Sequence, residues 1–398
     1  MPLIITRQAL AALDRAFTHG VNPMRRPKEF AEQVLGPLAR WVKNESQFSG
    51  GNTKTAKTNI GKMMVGSNQK LDKRIVGQNW EVEGVALVPS RDLAKLAEQT
   101  PGEWNLTPAE QEQVAKANFC PGASEGCMAV CLRNSGQMVM RASTQAQIKR
   151  TMAYMFNRPA FMAAIIVAIA HFYHTCRKGK RRCAFRLNIT SDLDWENKSV
   201  DIPEWMAAWL RESYSANWIR AGHYANICEV FNPPGRAEPP VQFYDYTKVE
   251  RRIKNFAFDK KWPSNYWLTW SLSETNESRK LALWVLQNQI TTVTVPFKRK
   301  SEIRNRRKAE PLPTTMALRD TATGVEHSFP VLDGDAHDLR FIDRYALDAL
   351  GTGAWVGLHF KTPNNKEMAG RGSQGKADAS KGFIVDQPGD HVVLPVSV

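Results

Sequence analysis

From about residue 143 to residue 361 the chain alternates between two kinds of run, and this alternation constrains the fold more than any other feature. "STQAQIKRTMAYMF" and "RPAFMAAIIVAIAHFYHTC" carry apolar residues at helical spacing, and "CAFRLNITSDLDWE" is an apolar run ending in polar residues. "VDIPEWMAAWLRESYSANW" reads as a helix that exposes aromatic residues. "VQFYDYTK", "NYWLTWSLSE" and "ITTVTVPF" read as three more strands, with the helix "LALWVLQNQ" before the third and a last strand in "AWVGLHFKT". Short β-rich runs divided by helices favour parallel βα units. The expectation is an α/β fold, a complete or partial TIM-like βα barrel over residues 115–390. A mostly helical region over residues 1–114 precedes it, and residues 391–398 form a short C-terminal end.

Within residues 1–114, "PKEFAEQVLGPLARWVKN" places Phe30, Val34, Leu35, Leu38 and Trp41 at helical spacing. "GVALVPS" reads as a short strand and "SRDLAKLAEQT" as a helix. Ahead of both, "SQFSGGNTKTAKTNIGK" reads as a loop that nearly spells a phosphate-binding motif, with Gly51 at the right distance from Lys57 and Thr58. Ala56 stands where the second glycine belongs, and no apolar strand leads in. A basic loop touching phosphates through Lys54 and Lys57 is the better reading. The tail "KTPNNKEMAGRGSQGKADASKG" is rich in Gly, Lys and Ser and reads as a loop.

The sharpest local signal is "NFCPGASEGCMAVCLRN", which holds three of the six cysteines as Cys120, Cys127 and Cys131. Three thiolates are an odd set for disulfides and an incomplete one for tetrahedral zinc. They suit a [4Fe–4S] cluster with one iron left open. A zinc reading needs a fourth donor, and His171, His174, Cys176 or Cys183 supply candidates. The third reading is three small buried apolar residues, since free cysteine packs well in cores.

Strand ends supply the other candidates, because reacting groups in βα barrels sit where strands end and loops begin. They are Asn188, Ser191 and Asp192; Asp245, Thr247 and Lys248; Ser271, Ser273 and Glu274; and finally Lys361. Among these, Asp192, Asp245, Lys248 and Glu274 are the acid–base or substrate-orienting candidates. Asn188, Ser191 and Ser273 are the cofactor-contact candidates. "DGDAHDLRF" brings Asp333, Asp335 and Asp338 together, enough to hold Mg²⁺ for a nuclease, or simply an Asp-rich turn paired with Arg340.

Charge decides the partner class. Lys plus Arg total 54 against 39 for Asp plus Glu, a net charge of +15, which favours a polyanion, nucleic acid first. The basic runs are "RKGKRR", with Arg177, Lys180 and Arg181; "KVERRIKNFAFDKKW", with Arg251 and Arg252; and "FKRKSEIRNRRK", with Lys298, Arg299, Lys300, Arg306 and Arg307. Aromatics interleave the second, as single-strand binding surfaces require. "PAFMAAIIVAIAHFYHTC" is short for a membrane span and suits a buried helix. No secretion signal is visible, so the cysteines are expected in a reducing cytoplasm.

"CPGASEGCMAVCL", "RLNITSDLDWE", "FYDYTK", "LTWSLSE", "DGDAHDLRF" and the late "VGLHFK…GFIV" resemble, in this order, a bacteriophage family, the gene product 88-like proteins. "GNTKTAK" is similar to that family's lead-in. The resemblance covers roughly residues 50–60 and 118–386. It implies a phage protein in the cytoplasm of an infected cell and brings no activity with it. A more distant similarity is to radical-SAM barrels, in which a three-cysteine loop follows the first strand. That similarity implies cluster binding by Cys120, Cys127 and Cys131, with S-adenosylmethionine as a further cofactor. The spacing C-x6-C-x3-C departs from the usual C-x3-C-x2-C, Val130 replaces an aromatic residue, and "LNITSD" replaces a Gly-Gly-Glu segment.

The reading that results is an iron–sulfur enzyme acting on nucleic acid or nucleotides. The alternatives are a non-catalytic nucleic-acid-binding protein with a structural metal, and a Mg²⁺-dependent nuclease.

Overall fold

The structure is a computed structural model, and it describes residues 27–38, 79–89, 92–98, 104, 106–131, 141–297, 311–360, 383–385 and 390–398. Its frame is eleven strands. They are β1 (Trp80–Gly84), β2 (Arg182–Arg186), β3 (Val200–Ile202), β4 (Gly222–Tyr224), β5 (Gln242–Thr247), β6 (Tyr266–Ser271) and β7 (Val293–Phe297). β8 (Thr315–Asp320), β9 (Glu326–Asp333), β10 (Trp355–His359) and β11 (His391–Val396) complete them. Nine form one sheet in the order β1-β2-β5-β6-β7-β10-β9-β8-β11, while β3 and β4 pair antiparallel on their own.

From β1 through β10 the strands stand side by side in chain order, all parallel, apart from the separate β3–β4 pair and the later β8 and β9. This is the parallel βα succession that the alternation of runs predicts. β9 continues the parallel set beside β10, β8 reverses against β9, and β11 runs parallel to β8. The sheet is open: among the described residues β1 and β11 are its edges, and no closed barrel forms. The TIM-like barrel is therefore corrected to a mostly parallel open sheet with helices. β8 pairs antiparallel with β9, and β11 adds on its other side as the far edge. β1, from the N-terminal region, and β11, from the C-terminal end, both belong to this sheet.

One face of the sheet is apolar and packs on helices. Cys183, Phe185, Phe243, Leu268, Trp270, Val293, Val295 and Phe297 meet the Arg158–Lys178 helix and its neighbours in one core. That helix is long and apolar enough to cross a membrane, but 67% of its apolar window is buried inside the protein. Gly179 ends it, and β2 begins three residues later. The Glu204–Tyr214 helix buries Trp209 and Tyr214, while Trp205 stays partly exposed.

Phe30, Val34, Leu35 and Leu38 are buried as their spacing predicts, in the segments Phe30–Leu35 and Gly36–Leu38. Of "GVALVPS" only Gly84 is in a strand, the end of "WEVEG", and Val85–Val88 are buried beyond it. Val85 still bonds to backbone, its N donating to Arg186 O and its O accepting from Ile189 N, and beyond it side chains take over. Ala86 O accepts from Arg150 Nε, Leu87 O from Thr190 Oγ1, and Thr151 Oγ1 accepts from Val88 N.

Candidate functional site

Because the strands are parallel, the C-terminal ends of β2, β5 and β6 meet at one rim, and the cysteine loop lies across it. Two glycines make this close approach possible. A Cβ on Gly122 would sit 2.6 Å from Lys248 O, and one on Gly126 would sit 2.6 Å from Phe383 Cβ. Neither position has room for a side chain. Ser124 starts the short Glu125–Ala129 helix by accepting from Cys127 N at 3.2 Å. Glu274, just past β6, clamps that turn: Ser124 Oγ donates to its Oε2 at 2.7 Å and Gly126 N to its Oε1 at 2.9 Å. On the β2 side, Cys120 Sγ donates to Thr190 O at 3.4 Å, and Asp192 N donates to Phe119 O at 2.7 Å.

Lys248 lies beneath the loop. Its ammonium donates to Ser271 O (3.1 Å), Ser271 Oγ and Leu272 O (3.0 Å), and sits 5.1 Å from the centre of the Phe383 ring. Burial pushes its pKa down, while Cys127, Asp192, Glu274 and Cys120 pull it back up. Burial likewise raises the Cys127 thiol, with Lys248 opposing that rise and Glu274 and Asp192 adding to it. Cys120 and Cys127 thus share one fixed cation.

Asp192 and Asp245 sit deeper, between sheet and helices. Asp245 has 0% exposure. Its Oδ1 accepts from Asn188 N (2.9 Å) and its Oδ2 from Tyr266 OH (2.8 Å). Desolvation raises it to about 6, although Arg186, Arg252, Tyr266 and Asn188 all favour the charged form. Asp192 accepts from Arg252 Nη1 at 2.6 Å and from Lys248 N at 2.8 Å. Arg252 also grips Glu196 with two bonds of 2.9 Å. It is 1% exposed, so its place on a nucleic-acid surface is corrected: two carboxylates hold it inside.

The candidate cofactor contacts are also held by the protein. Asn188 Oδ1 accepts from Ser191 Oγ, Leu193 N and Trp195 Nε1, fixing the loop after β2. Ser273 N donates to Ser278 Oγ and shapes the entry to the Asn276–Gln287 helix. Glu196, Tyr266 and Phe383 were not singled out from sequence. Helical spacing gives the signal for Arg252, since Val249, Arg252, Ile253 and Phe256 form one stripe.

The Asp cluster disperses. Asp333 Oδ1 accepts from Asp335 N (2.8 Å), Asp335 pairs with His359 (2.7 Å), and Asp338 bridges Arg186 and Tyr246. Arg340 turns to Asp343 instead of to these carboxylates, at 3.3 Å. Among the described residues no group of three or more His, Cys, Asp and Glu side chains is arranged to hold a metal ion. That speaks against Mg²⁺ on the aspartates. Cys120, Cys127 and Cys131 lie on one loop, and the first two act on Lys248.

Among the described residues of the basic runs, Lys248 and Arg252 are at this rim and others are not. Arg177, Lys180 and Arg181 lie at the opposite edge, where β2 begins, and Arg181 pairs with Glu81. Arg251 reaches Asp194 at 3.2 Å. Lys54, Lys57, Lys298, Arg299, Lys300, Arg306, Arg307 and Lys361 lie outside the described residues, as do Trp41 and the Gly-rich tail.

No curated protein and no solved structure matches the chain. A family model does, described as gene product 88, over residues 67–385, a span that holds the cysteine loop, Lys248, Glu274 and β1 through β10. The chain belongs to the gene product 88 family of bacteriophage proteins.

Proposed function

We propose that the rim beneath the cysteine loop is the functional centre of an iron–sulfur enzyme acting on nucleic acid or a nucleotide. The observation that carries this reading is the seat of the loop: Glu274 clamps it and Lys248 underlies it at the shared C-terminal edge of parallel strands. That edge is where α/β proteins bind ligands. Cys120, Cys127 and Cys131 would hold the cluster, which supplies an iron with an open position when bound. A cluster on three thiolates carries negative charge, and the buried Lys248 ammonium offsets it without needing a mobile counterion. Glu274 fixes the loop, Asp192 orients Lys248 and Arg252, and Asp245 ties β5 to the loop after β2. In this reading Lys248 and Glu274 stand nearest the chemistry, and the two aspartates act through them. S-adenosylmethionine remains a candidate second ligand of the open iron.

Anaerobic purification, followed by iron, sulfide and zinc analysis, tests this. Iron with matching sulfide supports the reading. Zinc alone would make the loop structural and favour the non-catalytic nucleic-acid-binding alternative. Absence of metal and sulfide, even after reconstitution, overturns it.

A further inference from the structure

Side chains alternate along a strand, so the register identifies a second face of the sheet, opposite the helices. Tyr244 pairs with Trp267 and Tyr246 with Thr269, while Ala184, two residues before Arg186, pairs with Gln242. Arg186, Tyr244, Tyr246, Trp267 and Thr269 therefore share this inner face. It sets Arg186, Tyr246 and Thr269 among apolar and aromatic residues.

The inner face is covered by the segment between β9 and the Asp343–Leu350 helix. Leu339 and Phe341 form a small apolar cluster with Val82, Ala184 and Tyr244, separate from the main core. The Phe341 ring stands edge-on to Trp80 (4.7 Å) and to Tyr244 (5.5 Å). The Asp338 carboxylate accepts from Arg186 Nη1 at 3.1 Å and Tyr246 OH at 2.7 Å.

The apolar match is good and the polar match is poor. Arg186 Nε, Tyr244 OH, Trp267 Nε1, Thr269 Oγ1 and Arg340 Nε are buried with no hydrogen-bond partner. Native proteins leave few such groups, because each gives up water and receives nothing in return. Five around one contact indicate that the covering segment is not the partner this face is built for.

We infer that the inner face of β2, β5 and β6 binds a mononucleotide, and that the Asp338–Phe341 segment occupies its place when it is absent. The segment shows what the ligand supplies. Asp338 presents an anionic oxygen to Arg186 and Tyr246, and Phe341 puts a planar ring in the Trp80–Tyr244 slot. A base and a phosphate offer those two parts and add the acceptors that Tyr244 OH, Trp267 Nε1 and Thr269 Oγ1 lack. The site is contiguous with the rim, since Ser271, two residues beyond Thr269, takes the Lys248 ammonium. An enclosed face suits a monomeric nucleotide, whereas a polymer needs an open groove. This inference rests on the proposed function for its chemistry, though not for binding.

The test is calorimetric titration of the full chain with each common ribo- and deoxyribonucleoside monophosphate. Stability in urea is measured alongside. Tyr244→Phe and Thr269→Val should each weaken binding about three- to tenfold, as loss of one hydrogen bond does. Neither should lower the stability of the ligand-free protein, because each removes a group that has no partner there. Phe341→Ala should tighten binding by vacating the slot. The inference is overturned if no monophosphate binds either wild type or Phe341→Ala. It is equally overturned if Tyr244→Phe and Thr269→Val destabilise the free protein and leave binding unchanged, the behaviour of groups bonded to structural water. Cys127→Ala separates the two readings: nucleotide binding retained there, with no iron in wild type, would sink the cluster and spare this site.

Discussion

At the scale of single residues, the polar groups near the rim divide into those that hold the frame and those that face the loop. Arg252 is the clearest frame residue, with Asp192, Glu196 and Tyr266 all bonded to it out of water. Removing one member of such a set leaves the others charged and unpaired. Arg252→Ala should therefore cost about 3–5 kcal/mol of stability, read from urea unfolding. Alongside Asp245, Asp343 contributes to the pH dependence. Burial raises it to about 6, with Arg340 and Thr292 opposing. An unfolded Asp titrates near about 3.9, so the folded state keeps a proton that the unfolded state has already released. Its contribution to stability is present below about pH 4 and is lost as pH rises through about 6. Relative to Asp343→Asn, wild type should lose stability between about pH 4 and about pH 6.5. A wild-type curve parallel to that of the variant would contradict this. The sequence names the strand-end acids but not their partners: nothing in "KVERRIKNFAF" separates exposed Arg251 from buried Arg252 except helical period.

At the scale of elements, the cysteine loop is a short structure made rigid by what it touches. Gly122 and Gly126 let it lie flat, Ser124 caps its helix, and Glu274 holds the cap. Glu274→Ala should free the loop without unfolding the sheet, and iodoacetamide should then modify Cys127 faster than in wild type. An unchanged alkylation rate would show that the clamp does not govern access. The element pattern was legible wherever one run carried one period, as in the Arg158–Lys178 helix and in β5, β6 and β7. It failed at "GVALVPS", where Ala86 and Leu87 are buried beyond the strand and neighbouring side chains take their carbonyls. The alternation Thr-Val-Thr-Val over residues 292–295, leading into β7, signals that the two faces of the sheet differ there.

At the scale of the whole molecule, the parallel order was readable and closure was not. Strand–helix alternation fixes neighbours, but whether a sheet closes depends on pairings remote in sequence. Here "MALRD" and "HVVLPV" join as β8 and β11, leaving the sheet open. Truncation before residue 391 should therefore lower the melting temperature, because β8 would become an unpaired edge with Met316 and Leu318 uncovered. The candidate site was legible in its cysteines, in Lys248 and in Glu274. The inner face was not, since it depends on register and on a segment folding back from about 90 residues away along the chain.

The most direct test of the account is the iron and sulfide content of Cys120→Ala, Cys127→Ala and Cys131→Ala, each reconstituted anaerobically beside wild type. The account predicts a cluster in wild type that each substitution abolishes or depletes, with the fold retained by circular dichroism. Wild-type metal content in all three variants would contradict it, because the cluster would then rest on other residues and the loop would lose its claim to the centre.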